Sequence, residues 1–217
     1  MIEINNLKKY YGTRTVLDIP SLNINDGETL AVAGANGCGK TTLLKILGGI
    51  IKASEGSFSV HGNILFMPQY SYAFRGDLVE NILICGADRN KARILLEKLE
   101  LSHLADKKAK SLSGGELQRL SLCRVLSKEC SLLLLDEPTS ACDAVGAELV
   151  IKAIKDYQSD CGCTVIMSTH LPLLAMNAAD RLIILNGGRI ESDGSPEAVI
   201  TNPETQWLKS FVAGWKI

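Results

Sequence analysis

The chain has 217 residues, 46% of them hydrophobic, with 23 basic against 24 acidic side chains and a formal net charge of −1. This places it among compact globular chains of one or two domains and excludes disordered and fibrous classes. The near-neutral balance argues against a general nucleic-acid surface, so no nucleic-acid partner is expected. No apolar run approaches the ~18 residues of a membrane-spanning helix, and the start MIEINNLKKYYG lacks the apolar core of a secretory signal. The chain is therefore expected in the cytosol unless partners carry it to a membrane.

Up to about residue 69 the sequence reads as short β segments with turn signals at Asn25-Asp26-Gly27 and His61-Gly62-Asn63, interrupted by one helical stretch over about 41–51. Residues 28–33, ETLAVA, form the pattern of a buried strand. From about 70 to 125 the texture is helical, with Ile94, Leu95, Leu99 and Leu101 spaced to make one apolar face among Lys, Arg and Glu. After Ser131 strands and helices alternate: a buried strand 132–135, a helix of about 144–158, a strand 164–168, a helix after His170 and a strand 181–185. Such alternation predicts a parallel sheet with helices packed on it, and the helical middle reads as an insert. Seven cysteines, Cys38, Cys85, Cys123, Cys130, Cys142, Cys161 and Cys163, show neither a CxxC pair nor a His at zinc-finger spacing. They are expected to be buried thiols, and the close pair Cys161 and Cys163 is assigned no role.

Strand 28–33 runs into Gly34-Ala35-Asn36-Gly37-Cys38-Gly39-Lys40-Thr41, followed by Thr42, which fits the phosphate-cradling loop G-x-x-x-x-G-K-[ST] in its required order of strand, loop and helix. Glycines let backbone N–H groups curl around phosphates, and the helix N-terminus adds its positive end. Lys40 would reach the β- and γ-phosphates of ATP, and the Thr41 hydroxyl would ligate Mg²⁺. Leu132-Leu133-Leu134-Leu135-Asp136-Glu137 places two carboxylates at the end of an apolar strand, a costly position unless a cation or polarised water is present. Asp136 would hold Mg²⁺ through its water shell, and Glu137 would act as general base. Between them stands Leu112-Ser113-Gly114-Gly115-Glu116, where Ser113 reads either as the N-cap of a helix in a capping box with Glu116 or as part of a second anion site.

GANGCGKTT, LSGGE, LLLLDEP, SACD at 140–143 and STH at 168–170, in this order, resemble the nucleotide-binding subunits of the ATP-binding cassette (ABC) family over essentially the whole chain. The resemblance implies an α/β fold: a P-loop NTPase core with a mainly parallel sheet, a small antiparallel β arm and a helical insert. It divides a single domain, 1–217, into a RecA-like core with its arm at about 1–69 and 127–217 and a helical part at about 70–126. It further implies that Tyr11 stacks on adenine with Val16 beside it, that Gln69 reaches Mg²⁺ and senses the membrane partner, that His170 contacts the γ-phosphate, and that Asp143 communicates across a dimer. Ser113, Gly114, Gly115 and Glu116 would then meet the ATP of the opposite subunit. Two departures touch the signature and the interface: Glu116 stands where the family has Gln more often, and Cys142 where Leu is typical. Only twelve residues separate Gly56 from Gln69, which abbreviates the arm.

The same resemblance implies an ATP-hydrolysing motor that forms a homodimer on ATP and works at the inner face of the membrane through permease subunits, indirectly with an extracytoplasmic solute-binding protein. Val16 to Ile19, Phe74-Arg75-Gly76, the LADKKAKSLSGGE stretch and the tail 202–214 look most like ATPases of tungstate-type oxyanion importers. Zinc and manganese importer ATPases, or a non-transport member such as an iron–sulfur assembly ATPase, are the alternatives.

Overall fold

The computed structural model describes residues 1–215. Strands β1 (Ile2–Tyr11) and β2 (Arg14–Ile24) pair antiparallel across a short turn at Gly12 and Thr13, and β4 (Glu55–Ser59) joins the other edge of β1. This three-stranded arm lies beside a six-stranded sheet of order β5-β6-β7-β3-β8-β9. Its members are β3 (Thr29–Gly34), β5 (Ile64–Met67), β6 (Leu132–Asp136), β7 (Thr164–Ser168), β8 (Arg181–Asn186) and β9 (Arg189–Gly194). All neighbours pair parallel except β8 and β9.

The central strands are buried on both faces, and period-2 alternation divides their side chains between two cores. Leu133 and Leu135 of β6, Val165 and Met167 of β7, and Leu182 and Ile184 of β8 face one core. Helices α2 (Leu78–Leu83), α3 (Arg89–Lys98), α4 (Gly114–Leu126) and α5 (Ala144–Cys161) complete it. Leu132, Leu134, Ile166, Ile183 and Leu185 face the other core, against the arm and α1 (Lys40–Leu47). The C-terminal helices α6 (Pro172–Ala178), α7 (Pro196–Thr201) and α8 (Gln206–Ala213) cover the first face. No helix among the described residues is long and apolar enough to cross a membrane.

The α/β class and the mixed sheet arrangement agree with expectation; several local features do not. Helix α1 stops at Leu47 rather than near 51, because Gly48 and Gly49 close it. Gly49 has φ +69°, and its N–H bonds Ile46 O while Ile50 N–H reaches back to Lys45 O, the Schellman pattern. The segment 70–77 is not helical: Asp77 and Glu80 form a capping box that starts α2 at Leu78. Ile94 is exposed, and the buried stripe of α3 and its C-cap is Ala92, Leu95, Leu96 and Leu99, one helical face at i, i+3, i+4 and i+7. Strand β9 goes unread in the sequence, although Asn186-Gly187 is a hairpin signal. Of the seven thiols, Cys38, Cys123 and Cys163 are buried, while Cys85, Cys130, Cys142 and Cys161 are half-exposed on partly covered elements.

Leu134 is fully buried between the sheet and α1. Leu134→Ala should lower unfolding free energy by about 3 kcal/mol, the transfer loss plus a residual cavity. Urea denaturation of the two chains measures the difference.

Candidate functional site

The C-terminal ends of the parallel strands, where a doubly wound sheet gathers its ligand groups, hold a cavity of about 470 Å³. Val16, Asn36, Gly37, Gly39, Lys40, Thr41, Thr42, Gln69 and Glu137 line it, together with Arg14. Chain positions from the arm to β6 thus converge on one hollow.

The loop between β3 and α1 shapes the floor. A side chain at Gly34, φ +143°, would stand 2.2 Å from Leu185 O and 2.7 Å from Cys38 Sγ, so only glycine fits where the loop leaves the sheet. Ala35 is exposed and outside the cavity lining, and its carbonyl serves the loop's own turn, with Cys38 N–H donating to it at 3.2 Å. The Cys38 side chain turns into the arm-side core, and burial pushes its thiol up. Lys40 is buried, its ammonium donating to Gly34 O at 2.8 Å and Ala35 O at 3.3 Å. Helix α1 starts without a side-chain cap, which leaves its first N–H groups directed at the cavity.

Asp136 is buried beneath this floor. Its Oδ1 accepts from Thr41 Oγ1 at 3.0 Å and from Ser168 Oγ at 2.6 Å, tying the loop, β6 and β7 together. Ser168 Oγ in turn accepts the Glu137 N–H at 2.9 Å. Glu137 adopts φ +54°, a left-handed conformation that costs a non-glycine residue free energy and persists only when its surroundings hold it. Those surroundings are explicit. Ser168 holds its N–H, Gln118 Nε2 donates to its carbonyl at 2.7 Å, and His170 Nδ1 meets its Oε2 at 2.6 Å. The conformation delivers the carboxylate from the end of a buried strand to the cavity.

Several residues singled out in the sequence stand outside this cavity. Tyr11 is not among the cavity-lining residues; it is exposed at the end of β1, with Lys9 Nζ 5.1 Å from its ring centre. Ser113, Gly114, Gly115 and Glu116 also lie outside the cavity. Ser113 is the N-cap of α4, and Glu116 Oε2 accepts from both Ser113 N at 2.7 Å and Ser113 Oγ at 2.8 Å. These bonds, chiefly that from the Ser113 backbone, lower the Glu116 carboxyl below the ordinary carboxylate value. Gly115 packs on the loop 140–143, where an added Cβ would meet Ala141 O at 2.9 Å. Asp143 caps α5 by accepting from Gly146 N at 2.8 Å.

Sequence reasoning missed three participants. Ser168 lies in the quoted STH stretch without a role, although a hydroxyl at the end of a buried strand needs a partner. Arg14 belongs to the arm, whose turn carries it over the phosphate loop, and no local pattern marks it. Gln118 is the third: fully buried on α4, it also accepts the Ala141 N–H at 2.6 Å and reaches Ser140 Oγ at 3.3 Å. A polar residue on the apolar stripe of an amphipathic helix is the signal that could have found it.

An ABC transporter family model matches residues 17–140. The sulfate/thiosulfate import ATP-binding protein CysA of Yersinia pseudotuberculosis is 34% identical over 97% of this chain and 65% of its own length. The spermidine/putrescine import ATP-binding protein PotA of Mycoplasma mycoides is 30% identical over the whole of this chain and 68% of its own. The chain therefore spans about two thirds of the length of these relatives. Among solved structures, the ATP-binding cassette MJ0796, a dimer in a post-hydrolysis state bound to ADP and Pi, superposes with a TM-score of 0.82 at 27% identity. The match covers 90% of this chain and 99% of that one.

Gln118→Leu keeps the side-chain volume but strands the Glu137 carbonyl and the Ala141 N–H, and should cost about 1–3 kcal/mol of stability. Chemical denaturation of the variant beside the parent chain measures it.

Proposed function

This chain belongs to the ABC transporter family, and we propose that it is the ATP-hydrolysing motor of an importer for a small oxyanion such as tungstate or a chemical relative. The observation that carries the catalytic half is the convergence of Lys40, Thr41, Gln69 and Glu137 on one cavity, with Asp136 bonded directly beneath it. Lys40, buried with only carbonyl oxygens as partners, suits a polyphosphate that offers it anionic ones. The donor set also fits Mg²⁺: Thr41 and Gln69 would ligate it, with Asp136 acting through water, and the ion would neutralise charge on the β- and γ-phosphates. Val16 lines the cavity where the adenine would lie, and Tyr11, exposed at the end of β1 outside that lining, would stack on the base from the rim. Glu137 accepts the proton of the attacking water, whose oxygen bonds the γ-phosphorus as ADP leaves. The short bond from His170 fixes the orientation of that carboxylate, and His170 also contacts the γ-phosphate. The base thus works from a backbone conformation that Ser168 and Gln118 hold, with His170 on its carboxylate.

Ser113, Gly114, Gly115 and Glu116 stand on the surface beyond their own cavity, which suits a head-to-tail homodimer in which each subunit's signature closes over the other's ATP. Contact between Gly115 and the loop at Ala141 gives Asp143 a place in communication between the two sites. The solved dimer of MJ0796 supports this arrangement. On this reading residues 70–126 form the helical part and the remainder the core with its arm, and closure on ATP drives permease subunits by differential binding of open and closed states. A solute-binding protein would act through the permease, and the motor would sit at the cytoplasmic face. The sulfate relative supports the oxyanion class of cargo.

A second hollow, about 250 Å³, lies between β5 and the helical segment, lined by Phe66, Tyr72, Phe74, Cys85, Arg124 and Val125 among others. Tyr72 and Phe74 pack edge to face at 5.0 Å, and both cover the Arg124 guanidinium, at 4.8 and 5.0 Å. Tyr72 is 54% exposed, so it is the ring free to anchor a short permease helix, whereas Phe74 is largely packing.

Glu137→Gln should retain ATP binding, lower turnover by at least ~10²-fold and accumulate an ATP-bound dimer, because the cradle survives while the proton acceptor is lost. Phosphate release and size-exclusion chromatography with ATP and Mg²⁺ read the two effects. Tyr72→Ala should weaken co-purification with the permease, by about 2 kcal/mol of binding, while thermal melting and ATP hydrolysis of the isolated chain stay near the parent values.

A further inference from the structure

Far from the phosphate loop, at the opposite ends of β6 and β7, three cysteines gather on the helical side of the sheet. Cys130 lies in the connection by which the chain returns from α4 to β6. Cys161 is the last residue of α5, and Cys163 immediately precedes β7. All three pack in the same apolar cluster, with Cys163 buried and Cys130 and Cys161 half-exposed. Leu132 pairs with Thr164, and Thr164 N–H donates to Ser131 O at 3.0 Å, so Cys130 and Cys163 flank the first rung of the β6–β7 ladder. Neighbouring strands are ~4.8 Å apart and rise ~3.3 Å per residue. A one-residue offset across them separates Cα atoms by roughly 6 Å, inside the span of a disulfide, and because both cysteines precede their strands the alternation of strand faces does not part them: both side chains pack in the one helical-side cluster.

The surroundings distinguish the thiols. The Tyr157 hydroxyl donates to Lys128 O at 2.5 Å and stands 3.4 Å from Cys130 Sγ, fixing that sulfur against α5. The neighbouring Cys163 thiol, more than the Tyr157 hydroxyl and against the effect of burial, brings Cys130 down to about 7, whereas Cys163, facing both Cys130 and Cys161, is pushed up. Cys130 is thus the half-exposed thiol that ionises more readily, and Cys163 the more protonated thiol beside it. Cys123 makes the contrast: fully buried, its thiol is pushed up to about 12 by burial and stays protonated at neutral pH.

We infer that Cys130 and Cys163 form a peroxide-responsive, reversible disulfide that tethers the return connection of the helical segment to the leading end of β7. The Cys130 thiolate attacks one oxygen of hydrogen peroxide, forming an S–O bond and breaking O–O; the hydroxide released takes a proton to become water. The Cys163 sulfur then attacks the sulfenic sulfur, forming S–S and breaking S–O, and the Cys163 proton leaves with the second oxygen as water. Two thiols are oxidised by two electrons, and one peroxide is reduced to two waters. Cys161 lies close to Cys163, but a bridge between residues two apart would have to strain the turn at Gly162.

The test treats the folded full chain with a small excess of hydrogen peroxide, blocks remaining thiols, and reads intact mass and proteolytic peptides by mass spectrometry, before and after dithiothreitol. Expected is a chain that takes up blocking groups at two fewer of its seven cysteines and weighs about 2 Da less beyond that difference, for the two hydrogens removed, with fragmentation assigning the link to Cys130 and Cys163 and dithiothreitol reversing it. Cys130→Ser, at a half-exposed position, should abolish the link, and Cys161→Ser should retain it. A Cys161–Cys163 link, a cross-link that persists in Cys130→Ser, oxidation confined to other thiols, or an unchanged mass would each overturn the inference.

Discussion

The arrangement of the site depends on one buried carboxylate, Asp136. A charge at the inner end of an apolar strand is costly to bury unless its lone pairs are met. Here two hydroxyls meet them, Thr41 from the phosphate loop and Ser168 from the neighbouring strand. The constraint acts in both directions: the loop is held to the sheet because the carboxylate needs it, and β7 stays in register because Ser168 must face Asp136. Ser168 then holds the next backbone N–H, which is how satisfaction of one acid sets the conformation of the acid beside it.

From that node the two carboxylates acquire different work. Asp136 is enclosed by hydroxyls and remains beneath the floor, whereas Glu137, turned by its positive φ, projects to the cavity with His170 at its outer oxygen. Gln118 links this turn to α4 and to the loop before Asp143, so the helical segment contacts the strand end through an amide with partners on both sides. Burial of the Gln118 amide makes this bridge stiff at its Glu137 end, where the bond to the carbonyl is buried and water offers no alternative.

Much of this was legible in the residue order. The phosphate loop, the LLLLDE strand and the β7 strand were placed by composition and spacing alone, since glycine-rich turns and continuous apolar runs are strong local signals. The capping box of Ser113 with Glu116 is formed, and the same residues are those proposed to face a second subunit's nucleotide. What the sequence did not disclose was set by distant packing. Arg14 reaches the cavity because the arm folds over the loop. Ile94 faces water because the helix phase is decided by Ala92 and Leu96, and the three thiols meet only because two strand ends and the end of a helix do. The early stop of α1 is written in Gly48-Gly49, although the apolar residues Ile50 and Ile51 prolong the helical pattern beyond them.

The order of strands in the large sheet also governs when the molecule can exist. The arm hairpin pairs residues that leave the ribosome within moments of each other, but β3, the strand that launches the phosphate loop, pairs with β7 on one side and β8 on the other, Thr29 lying opposite Val165 and Leu30 opposite Arg181. At ~5–20 residues per second, that strand waits on the order of ten seconds for its neighbours. Through this interval a six-residue apolar segment, TLAVAG, has no native partner on either edge. During synthesis it is exposed to aggregation and chaperone capture, and the strand that launches the phosphate loop is among the last to be paired.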